Sequence, residues 1–128
     1  MRAPSNEPVV LLVEEDEHIR ESLSDMLTER GYAAVGVSTP GNGLALLARG
    51  FRPRVILLDP FTPNGAVKFK EDLAADPALA GIPLILGPRG NAPEHQVKPS
   101  LPREHHLRRP LDVYEVIRLV HGYCRPWG

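Results

Sequence analysis

The sequence predicts an α/β protein in which a doubly wound parallel sheet of five strands is covered by helices on both faces. Three observations favour this fold. Short aliphatic runs alternate with segments whose apolar residues recur at helical spacing. The aliphatic runs are nearly continuous, which is typical of strands buried on both faces. The length of 128 residues suits a single domain.

The first strand and the first helix are marked at both ends. Val9–Val13 is an aliphatic run that follows Pro8, and it predicts a buried strand. Asp16 is a suitable helix N-cap, and Gly31 is typical of the residue that ends a helix. Between them, apolar residues recur on one helical face at Ile19, Leu23, Met26 and Leu27.

The middle of the chain repeats this order of strand and helix. Tyr32–Val37 predicts the second strand, and Ser38-Thr39-Pro40 is the start signal of the second helix. Val55–Leu58 predicts the third strand, which ends at Asp59.

A loop and a third helix lead to the fourth strand. We expect the loop over residues 60–65, which contain two prolines and a glycine, and the helix over residues 66–76. Leu84–Leu86 is short but purely aliphatic, and it predicts the fourth strand.

The segment after the fourth strand departs from the pattern. It shows no helical periodicity and is rich in proline, which removes an N–H donor from a helix interior. We therefore expect an irregular loop over residues 88–105, so that the fourth helix is degraded or replaced. His106–Arg108 predicts the fifth strand. Leu111-Asp112 marks the start of the last helix, whose apolar stripe ends at Cys124.

Composition excludes several classes of function. With 15 Lys and Arg against 16 Asp and Glu, the net charge of -1 argues against direct nucleic-acid binding. One cysteine excludes an internal disulfide, and no apolar run approaches the ~20 residues that span a bilayer. We expect a soluble, cytoplasmic protein with one domain over residues 1–128 and a core over about 8–124, without membrane contact.

Carboxylates follow two of the predicted strands. Glu14, Glu15 and Asp16 come after the first strand, and Asp59 comes after the third. Ligands of an open parallel sheet bind at the carboxyl ends of its strands, so we expect these side chains to meet. Each acid alone is also explained as a solvated helix cap. Together they suit Mg²⁺, which prefers oxygen ligands, and a carboxylate beside Mg²⁺ can accept a phosphoryl group.

Four segments in this order resemble the receiver domain of two-component response regulators, the CheY-like family. Val9–Glu17 is similar to the first strand and acidic pair of the family, and Ile56–Gly65 to its phosphoacceptor strand and loop. Asp76–Pro83 is similar to the run before the fourth strand, and Arg109–Asp112 to the Lys-Pro junction before the last helix. The resemblance covers essentially the whole chain and implies the flavodoxin-like sheet predicted above.

The resemblance also implies roles for particular residues. Asp59 would be the phosphoacceptor, and Glu14, Glu15 and Asp59 would hold Mg²⁺ as cofactor. Arg109 would be the charge-stabilising residue in place of the family's Lys. The implied reaction transfers a phosphoryl group to Asp59 from a histidine kinase or a phosphotransfer protein, and a downstream protein partner receives the signal. Apart from this self-catalysed transfer, no enzymatic activity is implied.

The sequence departs from the family at several of these positions. The acidic pair is Glu-Glu rather than the usual Asp, which suits the strict geometry of Mg²⁺ less well. Gly87 or Pro88 stands where the family has a hydroxyl. Arg109 replaces Lys, although the two side chains are not interchangeable, and Lys98-Pro99 is an alternative Lys-Pro pair. These departures favour a second hypothesis, a pseudo-receiver that binds proteins without phosphorylation. A third hypothesis, an unrelated flavodoxin-like enzyme or nucleotide binder, lacks a phosphate-binding glycine loop.

Other polar residues near the irregular loop carry weaker signals. His95, His105 and His106 do not have metal-ligand spacing, and we interpret them as exposed loop residues. We expect this loop to move little on phosphorylation, so that any partner contact would be constitutive. The surface that would make the contact contains Arg89, Lys98, Arg103 and these histidines.

Overall fold

A computed structural model describes residues 9–91 and 98–124. Its strands are β1 (Val9–Glu14), β2 (Ala33–Val37), β3 (Val55–Asp59), β4 (Leu84–Leu86) and β5 (Glu104–His106). Its α-helices are α1 (Glu17–Glu29), α2 (Pro40–Ala48), α3 (Pro63–Ala74), α4 (Pro77–Ala80) and α5 (Val113–Cys124). All neighbouring strands pair in parallel, in the order β2-β1-β3-β4-β5. The predicted doubly wound sheet of five parallel strands is confirmed.

Two apolar layers cover the two faces of the sheet, because successive strand residues point to opposite sides. One layer joins the sheet to α2, α3 and α4 and includes Leu11, Leu47, Leu58, Phe69 and Leu79. The other joins it to α1 and α5 and includes Val10, Leu23, Leu57, Val116 and Cys124. None of the helices in the described ranges has the length and apolar character that a membrane crossing requires.

Several element boundaries differ from those predicted. The third helix begins at Pro63 rather than at residue 66, because Thr62 already takes the extended conformation of an N-cap. The short helix α4 was not predicted, and the Asp76 side chain caps it by accepting from the Ala78 N–H at 2.9 Å. The fifth strand is Glu104–His106 rather than His106–Arg108, since its register pairs it with the three residues of β4.

The described residues between β4 and β5 contain no α-helix. A 3-10 turn, Arg89–Asn91, follows β4, and residues 98–103 belong to neither a helix nor a strand. Residues 92–97, which include His95, lie outside the described part of the chain. Within the described residues, the expected irregular segment in place of a helix is therefore present.

A buried ion pair between Lys70 and Glu104 attaches this segment to α3. Lys70 Nζ lies 2.7 Å from Glu104 Oε2, and the two side chains are 4% and 0% exposed. Lys70 Nζ also donates to the backbone carbonyl of Lys98 at 2.7 Å. One ammonium group thus ties α3 both to β5 and to the chain that precedes β5.

The Glu104 carboxylate collects further donors from its own segment. Its Oε1 atom accepts from the N–H groups of Ser100 and Leu101 at 3.0 and 3.1 Å, and its Oε2 atom contacts His106 Nε2. Burial raises the pKa of Glu104, but Lys70 and these donors outweigh it and hold the pKa below its ordinary value. The expectation of an exposed His106 was wrong, since only 12% of its side chain is exposed.

Candidate functional site

The carboxyl ends of β1 and β3 bring two of the predicted acids together. Glu14 and Asp59 are register partners on these neighbouring strands. Both are buried, with Glu14 0% and Asp59 5% exposed. Because two buried carboxylates repel each other and lose their hydration, this edge of the sheet needs a positive charge or a bound proton.

Arg89 supplies a positive charge from the 3-10 turn after β4. Its Nη2 atom donates to Glu14 Oε1 at 3.1 Å, and its Nε atom lies 3.6 Å from Asp59 Oδ2. The backbone N–H of Arg89 donates to Asp59 Oδ1 at 3.0 Å. A single residue therefore contacts both acids, through its side chain and its backbone.

The loop after β3 covers the Arg89 side chain. Arg89 Cζ lies 4.9 Å from the centroid of the Phe61 ring, which is a cation–π contact. The Phe61 N–H donates to Glu15 Oε1 at 2.9 Å. Glu15 therefore holds the loop that carries Phe61.

Gly87, directly after β4, provides the space that the Asp59 side chain occupies. A Cβ atom at position 87 would lie 2.4 Å from both Cγ and Oδ1 of Asp59, well inside van der Waals contact. The Gly87 N–H donates to the Leu58 carbonyl at 2.7 Å, which keeps its backbone beside β3. Gly87, one of the two positions where the resemblance implied a hydroxyl, is thus also the position against which the Asp59 carboxylate packs.

The Glu14 carboxyl is held by a backbone donor as well as by Arg89. The Asp16 N–H donates to Glu14 Oε2 at 2.9 Å. Burial raises the pKa of Glu14 from its ordinary 4.5 to about 7, the Asp16 N–H opposes that rise, and the charge of Asp59 adds to it. Arg89 lowers the pKa but does not cancel the effect of burial. Glu14 therefore changes its protonation near neutral pH.

The arrangement does not fit Mg²⁺, which needs oxygen ligands at roughly 2.0–2.1 Å. Glu14 Oε1 and Asp59 Oδ1 accept hydrogen bonds from Arg89, and Glu14 Oε2 accepts one from Asp16. In residues 9–91 and 98–124, no group of three or more His, Cys, Asp or Glu side chains is placed to hold a metal ion. Glu14 and Asp59 therefore meet at one edge, while the Glu15 carboxylate binds the Phe61 N–H, and the three do not form a metal-ligand set in this conformation.

Arg109, which the resemblance implied as the charge-stabilising residue, makes no ion pair with Glu14 or Asp59 among the described residues. It is exposed, and the ion pairs that the described residues make with Glu14 and Asp59 come from Arg89. The alternative, Lys98, is also exposed and contributes its carbonyl to Lys70. Arg89 was missed because it was assigned to a partner-binding loop. Its place two residues after Gly87, at the carboxyl end of β4, was the signal that could have found it.

No family model and no curated protein match this sequence, but solved structures match its fold. The chemotaxis response regulator CheY4 of Vibrio cholerae superposes with a TM-score of 0.75 at 19% identity, over 92% of this chain and 99% of that chain. This chain has the CheY-like receiver fold. A sensor protein from Polaromonas sp. JS666 has a TM-score of 0.75 at 22% identity, over 91% of this chain and 95% of its own.

A third structure with this fold contains a metal. It is the receiver domain of sensor histidine kinase PA1611 from Pseudomonas aeruginosa PAO1, with a magnesium ion coordinated in its active site cleft. It matches with a TM-score of 0.72 at 18% identity, over 94% of this chain and 99% of that chain. The likeness extends to the whole receiver fold, whereas Arg89 makes the acidic edge of this chain unsuited to a metal as it stands.

Proposed function

We propose that this chain is a receiver-type module of two-component signalling that binds proteins in one constitutive state. Its partners are a histidine kinase or phosphotransfer protein and a downstream protein, and it acts in the cytoplasm without being an enzyme. The receiver fold, shared with a chemotaxis response regulator and with the receiver domain of a sensor histidine kinase, supports the signalling class.

The state of Asp59 is the observation that carries the proposal of a constitutive module. Phosphoryl transfer requires an attacking oxygen in line with the leaving group. Asp59 Oδ1 accepts the Arg89 N–H, Asp59 Oδ2 faces Arg89 Nε, and the residue is 5% exposed. Neither Gly87 nor Pro88 carries a hydroxyl that could follow a phosphoryl oxygen.

The surface of β5 and α5 supports protein binding. It presents an aromatic side chain, Tyr114, which is 69% exposed. Exposed arginines surround these elements at positions Arg103, Arg108, Arg109 and Arg118. Because aromatic residues and arginines are enriched at protein interfaces, this surface suits a protein partner, and its charge favours an acidic one.

The position of Asp59 favours a second candidate, a phosphoacceptor receiver. Asp59 ends β3 beside Glu14, at the edge where ligands of open parallel sheets bind. In that function, the P–N bond of a phosphohistidine breaks and a P–O bond to Asp59 forms. Arg89 and the Asp59 side chain would have to rearrange before the donor could approach.

The two candidates differ in their response to small phosphoryl donors. We would incubate the wild type and Asp59→Asn with acetyl phosphate and Mg²⁺, and measure intact mass. A receiver domain that acetyl phosphate is known to phosphorylate would test the reagents. The constitutive module gives no adduct in either protein. An adduct on the wild type that Asp59→Asn abolishes would overturn it and establish the phosphoacceptor.

A second measurement tests the constitutive surface directly. Amide exchange of residues 98–110 would be compared with and without beryllofluoride and Mg²⁺. We expect the same protection in both conditions, because no phosphoryl analogue binds Asp59. A large change confined to this segment would contradict a constitutive surface.

A further inference from the structure

Arg89 lies where one cation can contact both buried carboxylates of the acidic edge. Its guanidinium is 3.1 Å from Glu14 Oε1 and 3.6 Å from Asp59 Oδ2. We infer that this guanidinium is the built-in cation of the edge, and that it closes a latent divalent-cation site formed by Glu14 and Asp59. The inference rests on the proposed function, because it explains how a receiver-type module keeps one state without a metal.

The charges at this edge favour a resident cation. Glu14 and Asp59 are neighbours on β1 and β3, with 0% and 5% exposure, so water contributes little to their charged forms. An arginine stays protonated at any pH that a protein tolerates. The Arg89 side chain is 28% exposed, whereas the Glu14 side chain that it contacts is fully buried. Its charge is therefore always present at the edge and largely directed to the two acids.

The backbone around Arg89 is also fixed in place. The Arg89 N–H is bound to Asp59 Oδ1. At the next residue, a Cβ on Gly90 would lie 3.0 Å from Pro60 Cδ, so the 3-10 turn packs closely against the loop after β3. That loop also supplies Phe61, whose ring covers the guanidinium. The turn and the loop thus hold Arg89 against the two acids from both sides.

A divalent cation would compete with this guanidinium for the same oxygens. Mg²⁺ and Mn²⁺ prefer carboxylate oxygens in octahedral geometry. Truncation of Arg89 frees Glu14 Oε1 and leaves Asp59 Oδ2 without a facing cation, while the backbone of residue 89 still holds Asp59 Oδ1. Two neighbouring buried carboxylates would then lack a counter-charge, which favours metal binding.

Direct metal binding tests the inference without a signalling partner. Mn²⁺ would be titrated into the wild type and Arg89→Ala, and free Mn²⁺ would be followed by electron paramagnetic resonance. We expect no binding to the wild type at millimolar Mn²⁺. For Arg89→Ala we expect a dissociation constant at least about tenfold below the highest Mn²⁺ concentration used. Adding Glu14→Gln to Arg89→Ala should abolish the new site. Arg109→Ala, which removes the same charge from an exposed position, should behave like the wild type.

The outcomes separate this inference from the proposed function. Wild type that binds Mn²⁺ as tightly as Arg89→Ala overturns the inference, and so does a folded Arg89→Ala that binds none. If Arg89→Ala does not fold, Arg89→Gln replaces it, because glutamine keeps a hydrogen-bond donor without the charge. The inference is then overturned if the wild type binds Mn²⁺ as tightly as Arg89→Gln, or if folded Arg89→Gln binds none. Phosphorylation of a metal-free wild type would overturn the proposed function instead.

Discussion

Two buried carboxylates of this chain, Glu14 and Glu104, meet their counter-charges in opposite ways. The Glu104 side chain is paired with Lys70 at 2.7 Å and takes two backbone N–H donors, and its pKa is lowered despite burial. Glu14 is paired with Arg89 at 3.1 Å but lies beside a second acid, Asp59, and burial raises its pKa to about 7. Both side chains are fully buried, so burial alone does not decide the direction of the shift.

The difference lies in the number of charges that each cation must balance. Lys70 serves one carboxylate, whereas Arg89 serves two. The Glu104 cluster is therefore suited to holding structure, because every group in it has a partner. The acidic edge keeps an excess of negative charge, which a proton on Glu14 can relieve. Incomplete compensation of this kind is typical of functional sites.

Removal of Lys70 should have the largest effect on stability. Lys70→Ala leaves Glu104 buried without its cation, which costs about 3–5 kcal/mol of the free energy of unfolding. Lys68→Ala is the matched control, since Lys68 pairs with Asp72 at 3.6 Å on the exposed face of the same helix. That variant should lose about 0–1 kcal/mol in urea denaturation. Equal losses in the two variants would show that the buried pair contributes no more than a surface pair.

Removal of Arg89 should cost less, because Glu14 can take up a proton in its place. We expect Arg89→Ala to lose about 1.5–3 kcal/mol at slightly alkaline pH, the usual value for hydrogen bonds to charged groups. The loss should shrink below neutral pH, where Glu14 becomes neutral. Urea denaturation at two pH values measures this, with Arg109→Ala as an exposed control. A loss that does not depend on pH would contradict the partial balance inferred for the acidic edge.

The two acids should give opposite pH dependences. The folded-state pKa of Glu14 is raised from 4.5 to about 7. Its contribution to the free energy of unfolding is therefore complete below about pH 4.5 and is lost as the pH rises through 7. That change is about 3 kcal/mol. The folded-state pKa of Glu104 is lowered, so its charged form contributes to the free energy of unfolding in full above its ordinary pKa of 4.5. That contribution is lost as the pH falls through the lowered pKa. We would measure the free energy of unfolding against pH for both variants. Glu14→Gln should lack the loss near pH 7, and Glu104→Gln should lack the loss at acidic pH. Loss of the same slope in both variants would refute the comparison.

A methyl group at position 87 should have the smallest effect. Gly87→Ala places a Cβ atom 2.4 Å from Cγ and 2.6 Å from Cβ of Asp59, so the backbone must shift as well as the carboxylate, at a cost of about 1–3 kcal/mol. In an Asp59→Gly background the same substitution should be nearly neutral, since the Cβ, Cγ and Oδ1 atoms that it meets are all gone. A double-mutant cycle by thermal unfolding measures this coupling. Additive losses would mean that the carboxylate does not occupy the space beside Gly87.

The sequence predicted what depends on local pattern. Aliphatic runs identified β1, β3 and β4, because strands that are buried on both faces are rich in aliphatic residues. The carboxyl-end rule for open sheets predicted that Glu14 and Asp59 lie at one edge. The irregular segment before β5 followed from its prolines, which break helical periodicity.

The contacts that were missed depend on long-range geometry. Lys70 and Glu104 are separated by 34 residues, and nothing in their local sequence connects them. Arg89 reaches Glu14 only because a 3-10 turn directs its side chain back over the sheet edge. The resemblance to receiver domains pointed to Arg109 instead. A resemblance of sequences compares the order of residues along the chain and does not show where a side chain points.

The covalent attachment of Arg89 has a consequence for conditions inside and outside the cell. A metal ion can be chelated, exchanged for another metal or diluted away, whereas a guanidinium on the polypeptide cannot. With Arg89 between Glu14 and Asp59, the charge balance of this edge is set at translation and does not follow the supply of magnesium. Such a module would fold and bind identically in metal-depleted and metal-replete cells, and would survive purification in chelators unchanged.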